Sequence, residues 1–186
     1  MKESKKIMHL MSTDAFSGAE NVVCQIINIF NNNINYDLEY CSVIKKNQEQ
    51  LKLRNIPILK LNNFSIKSIR KAIKEYNPDI IHAHDPKATI AAILARPKCK
   101  IIAHIHSNHR YMRKINIKSV FFHSLIKNKV SSIIWVSESA KNEYVFANKI
   151  PKRITSVTIQ NIVDGDQLKA IAKTDKKSYN FDIIFL

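Results

Sequence analysis

Glycine is nearly missing from this 186-residue chain, which has two, Gly18 and Gly165. A dinucleotide-binding fingerprint needs three glycines in one turn, and a Walker A loop needs two with a lysine. A self-sufficient NAD enzyme and a P-loop NTPase are both excluded. Cysteine is scarce too: Cys24, Cys41 and Cys99 are odd in number, far apart and set among apolar residues. They read as reduced, buried thiols of a cytosolic protein, not as a disulfide frame or a zinc knuckle. No run of 18 apolar residues occurs, which excludes a transmembrane helix. Met1 to Lys6 carries lysine but no apolar segment with a small-residue cleavage site, so it reads as a leader into a first strand and not as a signal peptide.

Acidic residues are also few, 15 against 30 Lys and Arg, for a net charge of +15. Such a balance draws a protein towards phosphate-rich partners or anionic lipid. Ile (30), Lys (24) and Asn (18) dominate the composition as an AT-rich coding sequence would make them, so only clustered charge is informative. One cluster is Ser65 to Lys74, where Lys67, Arg70, Lys71 and Lys74 lie beside a stripe of Ile66, Ile69 and Ile73. It is either a solvated helix on a sheet or a membrane-docking flank in which each cation contributes ~1 kcal/mol. The other, Arg110 to Ile115 with Phe121 and Phe122 beyond, mixes cations and aromatics as a membrane-facing or ligand-facing loop does. No nucleic-acid-binding module is recognisable, and nucleic acid is not expected as a partner.

What is present is a regular alternation. Short Ile- and Val-rich runs at Lys6–Met11, Tyr36–Ile44, Ile56–Leu61, Asp79–Ala83, Lys100–Ile105, Ser132–Val136 and Thr155–Ile159 alternate with segments of helical period. Ala19, Val22, Val23, Ile26, Ile27 and Phe30 form one helical stripe. Helices are expected at Ser65–Tyr76, from Asp85–Pro86 to about Arg96, in the second half of Tyr111–Asn128, at Glu138–Phe146 and at Asp166–Ala172. The pattern predicts an α/β domain with a doubly wound, Rossmann-like parallel sheet over residues 1–172. Residues 173–186 read as a linker followed by the first strand, Phe181–Leu186, of a further domain.

Two kinds of residue carry chemistry. Ser17-Gly18-Ala19-Glu20 follows the first strand; Ser17 and Glu20 fit a capping box, and Gly18 lets backbone approach a ligand at a helix N-terminus. An ordinary helix cap explains the same four residues. His82-Ala83-His84 and His104-Ile105-His106 each close a strand, and alternation puts each pair on one face. Neighbouring parallel strands would bring His84 and His106 side by side at the rim of a cleft. His-x-His suits zinc, but the one nearby carboxylate, Asp85, serves the helix cap and no thiol is close. The preferred reading has no metal, with His82 and His104 as satisfied packing residues and His84 and His106 facing ligand.

Together these segments resemble glycosyltransferase family 4 of the GT-B architecture. Ser17–Glu20 is similar to its (Ser/Gly)-Gly-Ala-Glu loop, and Pro78–His84 to its "pDiiHaH" strand. Ile101–Ser107 is similar to "vvxtxHs", Val136–Ser139 to "vSes", and Asn161–Asp164 to "NGvD", with Ile162 where the family has glycine. The motifs run in order through the family's N-terminal, acceptor-side half. The donor-binding half, with its basic pair for the diphosphate, has no counterpart among these residues.

The resemblance implies a glycosyltransferase that moves sugar from a nucleotide-sugar co-substrate, with no other cofactor, to a lipid-linked or polysaccharide acceptor. It implies His106 as the catalytic-site residue at the donor sugar. Gly18 would meet the donor's phosphate, and His84 would shape the acceptor cleft. Ser17, Glu20, Ser107, Ser137 and Asn161 complete the substrate-binding set. The chain is expected to have no turnover alone and to act at the cytoplasmic face of a membrane. A non-catalytic binding subunit that needs a separate donor-domain chain is the alternative.

Overall fold

A computed structural model describes residues 4–107 and 109–161 of the chain. The elements are β1 (Lys5–Met11), α1 (Gly18–Phe30), β2 (Tyr36–Val43), α2 (Gln48–Leu53), β3 (Ile58–Leu61), α3 (Ile66–Tyr76) and β4 (Ile80–His84). They continue with α4 (Pro86–Ala95), β5 (Lys100–Ile105), α5 (Ile117–Lys129), β6 (Ser132–Trp135), α6 (Glu138–Asn142) and β7 (Thr155–Thr158), with short 3-10 turns at Arg110–Arg113 and Ala147–Lys149. All seven strands are parallel and run in the order β3-β2-β1-β4-β5-β6-β7. The order reverses direction between β1 and β4, and a doubly wound sheet opens its crevice at that point, outside the carboxyl ends of the strands.

Alternation along each strand divides the core in two. Met8, Leu10, Cys41, Ile81, Ala83, Ile101, Ala103 and Ile105 join one large cluster with α3, α4 and α5. Met11, Leu38 and Tyr40 pack on the other side with Val23, Cys24 and Ile27 of α1 and Leu51 of α2. Cys24 and Cys41 are buried free thiols, while Cys99 is half-buried, so the expectation of three buried cysteines is corrected at the last.

Several boundaries differ from the pattern reading for identifiable reasons. β3 starts at Ile58 because Pro57 has no N–H for the ladder; its carbonyl accepts from Tyr40 instead. The helix α2 escapes notice because six residues with one buried side chain, Leu51, display no period. The helix expected at Glu138–Phe146 ends at Asn142, because Tyr144 and Phe146 turn into the core and the Val145 N–H bonds to the Met112 carbonyl at 3.0 Å. α5 starts as early as Ile117 because Asn116 and Ser119 cap it reciprocally.

Among the described residues, four non-glycine residues have positive φ: Asn55 (52°), Asn77 (52°), Asp85 (94°) and Arg96 (55°). Asn77 and Arg96 terminate α3 and α4 in the left-handed conformation. No helix among the described residues is long and apolar enough to cross a membrane. The helix expected at Asp166–Ala172 and the division at residue 173 with the strand Phe181–Leu186 lie outside the described residues.

Candidate functional site

The loops that leave β1 and β4 diverge to opposite faces of the sheet, and a short bond holds them together. Ser12 Oγ donates to Asp85 Oδ2 at 2.6 Å, while Asp85 Oδ1 accepts the Ala88 N–H at 2.7 Å as the N-cap of α4. The Asp85 N–H donates to the His104 carbonyl at 2.9 Å, and this places its unusual φ at the end of β4. Burial pushes the Asp85 carboxyl above its ordinary pKa, against the opposing pull of these hydrogen bonds. On the β1 side, the Glu20 carboxylate accepts from both the N–H and the Oγ–H of Ser17. Glu20 is 1% exposed, so it shapes the loop from within and turns no oxygen outward. Gly18 is exposed, and a Cβ placed on it would meet no atom within 4 Å. Room for a ligand therefore lies directly over the first turn of α1.

Beside this seam the α1 side of the sheet is lined with histidine. His9 of β1 pairs in register with His82 of β4, and His84 with His104 of β5. Alternation adds His106, and five imidazoles share one face. His9 Nδ1 and His84 Nε2 are 3.0 Å apart, as are His84 Nδ1 and His106 Nε2. The His82 and His84 rings stack at 4.2 Å, and those of His104 and His106 at 4.1 Å. Burial, reinforced by neighbouring imidazoles, lowers His9 to about 3 and His104 to about 2. Burial alone lowers His106 to about 4, and His82 and His84 fall well below their usual value. All five are neutral at physiological pH, each with one N–H and one lone pair.

The structure brings His84 and His106 together but overturns their assigned environments. His84 is fully buried, enclosed by the His9 and His106 rings on either side, and does not face a cleft; His106 is half-exposed. His82 and His104 are not satisfied packing residues: His82 Nε2 and both nitrogens of His104 are buried without a hydrogen-bond partner. His9 was missed entirely. In Lys5–Met11 it reads as one polar residue in an apolar run, and the signal that finds it is its parity with His82 once β1 and β4 are neighbours.

The remaining residues sit at the carboxyl ends of their strands. Ser107 is exposed just after β5, and Asn161 is exposed after β7. Ser137 caps α6 by accepting the Ala140 N–H at 3.0 Å. On α3, Lys67, Arg70, Lys71 and Lys74 are all exposed, but they are not one set of free cations. Arg70 donates to the carbonyls of Ala95 and Leu94 at the end of α4, and Lys71 lies 3.6 Å from Glu75. A separate apolar surface lies on the segment leading into α5, where Ile115, Ile117, Val120 and Phe121 are exposed while Phe122 is buried.

The sequence model of Glycosyltransferase Family 4 matches residues 40–167. The chain belongs to glycosyltransferase family 4. The matched stretch contains four of the five face histidines together with Ser107, Ser137 and Asn161, and begins after the Ser17–Glu20 loop. Among solved structures, Alr3699/HepE of Anabaena in complex with UDP-glucose superposes with a TM-score of 0.68 at 15% identity, covering 90% of this chain and 49% of that one. A glycosyltransferase from Rickettsia africae gives 0.62 at 19% identity, covering 94% and 50%. UDP-N-acetylglucosamine 2-epimerase from Rickettsia bellii gives 0.61 at 13% identity, covering 93% and 50%. At these identities the likeness is one of fold. The family 4 chain spans about half the length of the structures it matches, and its Rossmann-like sheet is that of an N-terminal GT-B domain. No curated protein matches the chain.

Proposed function

We propose that this family 4 chain is the acceptor-side half of a glycosyltransferase that transfers sugar from a nucleotide-sugar to a lipid-linked or polysaccharide acceptor. The observation that carries the reading is the seam between β1 and β4, where exposed Gly18 and half-exposed His106 flank the crevice of a doubly wound sheet. The free N–H groups of the first turn of α1 offer donors to a donor phosphate. His106 stands half-exposed at the carboxyl edge of β5, where its ring would meet the donor sugar; its Nε2 is held by His84 and its Nδ1 is buried without a protein partner. Catalysis then comes from positioning and from stabilising the departing diphosphate, with no covalent intermediate on the protein and no cofactor beyond the nucleotide-sugar. Ser107, Ser137 and Asn161, at the ends of β5, β6 and β7, extend the crevice towards the acceptor.

A donor-binding half is needed for turnover, supplied by further polypeptide or by a second chain. Incubated with a panel of nucleotide-sugars and acceptor lipids, the 186-residue chain should release no nucleotide above background. Joined to a donor half encoded beside it, it should release nucleotide only when acceptor is present. Nucleotide release by the isolated chain would overturn the division of labour. Silence of the combined halves would favour the second reading, a non-catalytic binding subunit.

A lipid-linked acceptor would bring the protein to the cytoplasmic face of a membrane, as a peripheral partner of that surface. Lys67 and Lys74 of α3, together with Ile117 and Phe121 of α5, form the docking elements. Sedimentation with anionic vesicles should fall steeply with salt as the screening length shortens to ~3 Å at 1 M. Changing Lys67, Arg70, Lys71 and Lys74 to Gln should weaken binding more than changing Lys173, Lys176 and Lys177. Equal losses from the two sets would leave only a generally basic surface.

A further inference from the structure

We propose that Asn47 and Arg54, at the two ends of α2, are positioning residues for the anionic ligand: they fix the loop between β1 and α1 that presents Gly18 to the crevice. The inference rests on the reading of Gly18 as the approach to a donor phosphate, and it gives α2 a part in that same site.

Packing alone does not account for α2. Its six residues bury one side chain, Leu51. Yet Asn47, the residue before it, is polar and fully buried. A buried amide is costly unless its groups are matched, and here both are. Asn47 Oδ1 accepts the Lys45 N–H at 3.1 Å, and Nδ2 donates to Ser42 Oγ at 3.2 Å. The side chain thereby shapes the turn between β2 and α2. It also aims the backbone N–H of Asn47 at the Asp14 carbonyl, 2.9 Å away.

At the other end of α2, the Arg54 guanidinium lies over the Phe16 ring at 4.7 Å, a cation–π contact. Its Nη1 donates to both the carbonyl and the side chain of Gln50, so the planar fork is held before it meets the ring. The two tethers from α2 thus fall on Asp14 and Phe16, which precede Gly18 closely and which neither Asp85 nor Glu20 reaches.

The rest of the loop is tied as well. Ser12 donates to Asp85, the Ala15 N–H donates to Thr13 Oγ1 at 2.9 Å, and the Ser17 N–H donates to Glu20. Every residue from Ser12 to Ser17 therefore takes part in a contact, although none of them is buried. Exposed connections are ordinarily the mobile parts of a domain. A loop held along its whole length is ordered before a ligand arrives, so ordering it does not weaken binding.

The test uses the full 186-residue chain, labelled with 15N-glycine and titrated with inorganic pyrophosphate. The chain has two glycines, Gly18 and Gly165, and Gly165→Ala assigns their two amide signals. Pyrophosphate should move the Gly18 signal saturably. Asn47→Ala should raise the dissociation constant read at Gly18 about fivefold, the equivalent of ~1 kcal/mol for one hydrogen bond no longer aimed. Arg54→Lys keeps the charge but not the planar fork, and should weaken binding about twofold to fivefold. Arg54 is not buried, so this variant tests the brace even where Asn47→Ala fails to fold. Lys127→Gln, on α5 across the sheet from α1, should bind as the parent does. Equal affinity in the parent, Asn47→Ala and Arg54→Lys would overturn the proposal and leave the donor-phosphate reading standing. Parent-like binding by Arg54→Lys alone would overturn the part given to Arg54. A Gly18 signal that pyrophosphate does not move in the parent would overturn the donor-phosphate reading, and the proposal with it.

Discussion

Strands β1, β4 and β5 present two unlike faces one residue apart. Towards α3, α4 and α5 they show Met8, Leu10, Ile81, Ala83, Ile101, Ala103 and Ile105, all buried and mutually packed. Towards α1 the alternate positions of the same strands carry His9, His82, His84, His104 and His106. An apolar face is complete once its shapes fit. A face of imidazoles is complete only when each nitrogen has a partner, and here several do not. The first face holds the domain together, and the second carries buried nitrogens without a partner.

Acid should separate the two faces most sharply. The unfolded imidazoles take up protons near 6.5, whereas folded His106 does so at about 4, His9 at about 3 and His104 at about 2, with His82 and His84 also well below 6.5. The folded values lie below the unfolded ones, so this contribution is full above pH 6.5 and is lost as pH falls through the folded values. Each withheld proton costs roughly 1 kcal/mol per pH unit. Five together should unfold the chain cooperatively between pH 6 and pH 4, followed by circular dichroism. A domain still folded at pH 4 would show that the buried imidazoles accept protons in place.

Next in size is the apolar face. Ile81→Ala removes a fully buried side chain from the larger core cluster and should cost ~2–5 kcal/mol in urea unfolding, with the pH profile displaced in parallel and unchanged in shape. A change of shape would mean that the two faces are coupled through β4. At the seam, Asp85→Ala deletes the N-cap of α4 and strands Ser12; a loss of ~1–2 kcal/mol is expected in thermal unfolding, and Asp85→Asn should recover part of it. The smallest effect is one of gain. His104→Leu removes two orphaned nitrogens and should stabilise the chain by ~1 kcal/mol, measured by urea titration.

The sheet was legible because buried parallel strands write themselves as short aliphatic runs, and β5 at Lys100–Ile105 was read to the residue. The α4 start was equally plain, since Asp85-Pro86 states both the cap and the first helical position. Legibility failed wherever tertiary partners decide. Nothing local in Glu138–Phe146 says that Val145 will bond to Met112 and end the helix early. Nothing local in Ser65–Lys74 says that Arg70 will close the end of α4 and so leave the free cationic surface. At the site, the two His-x-His pairs were visible because each lies within one strand. The face they build with His9 was not, because it exists only across β1, β4 and β5, and registers between strands are not written in any one of them.

The backbone keeps a record of the nucleic acid that encodes it. Arg96 and Asn77 end their helices in a left-handed turn where glycine fits without steric penalty, and Asn55 shares their positive φ. Glycine codons are rich in G and C, whereas those of asparagine are rich in A, so a composition that leaves two glycines in 186 residues also leaves left-handed turns to other residues. A glycine at Arg96 would release the strain of the turn that ends α4, a gain in stability that the coding sequence withholds and the fold does not.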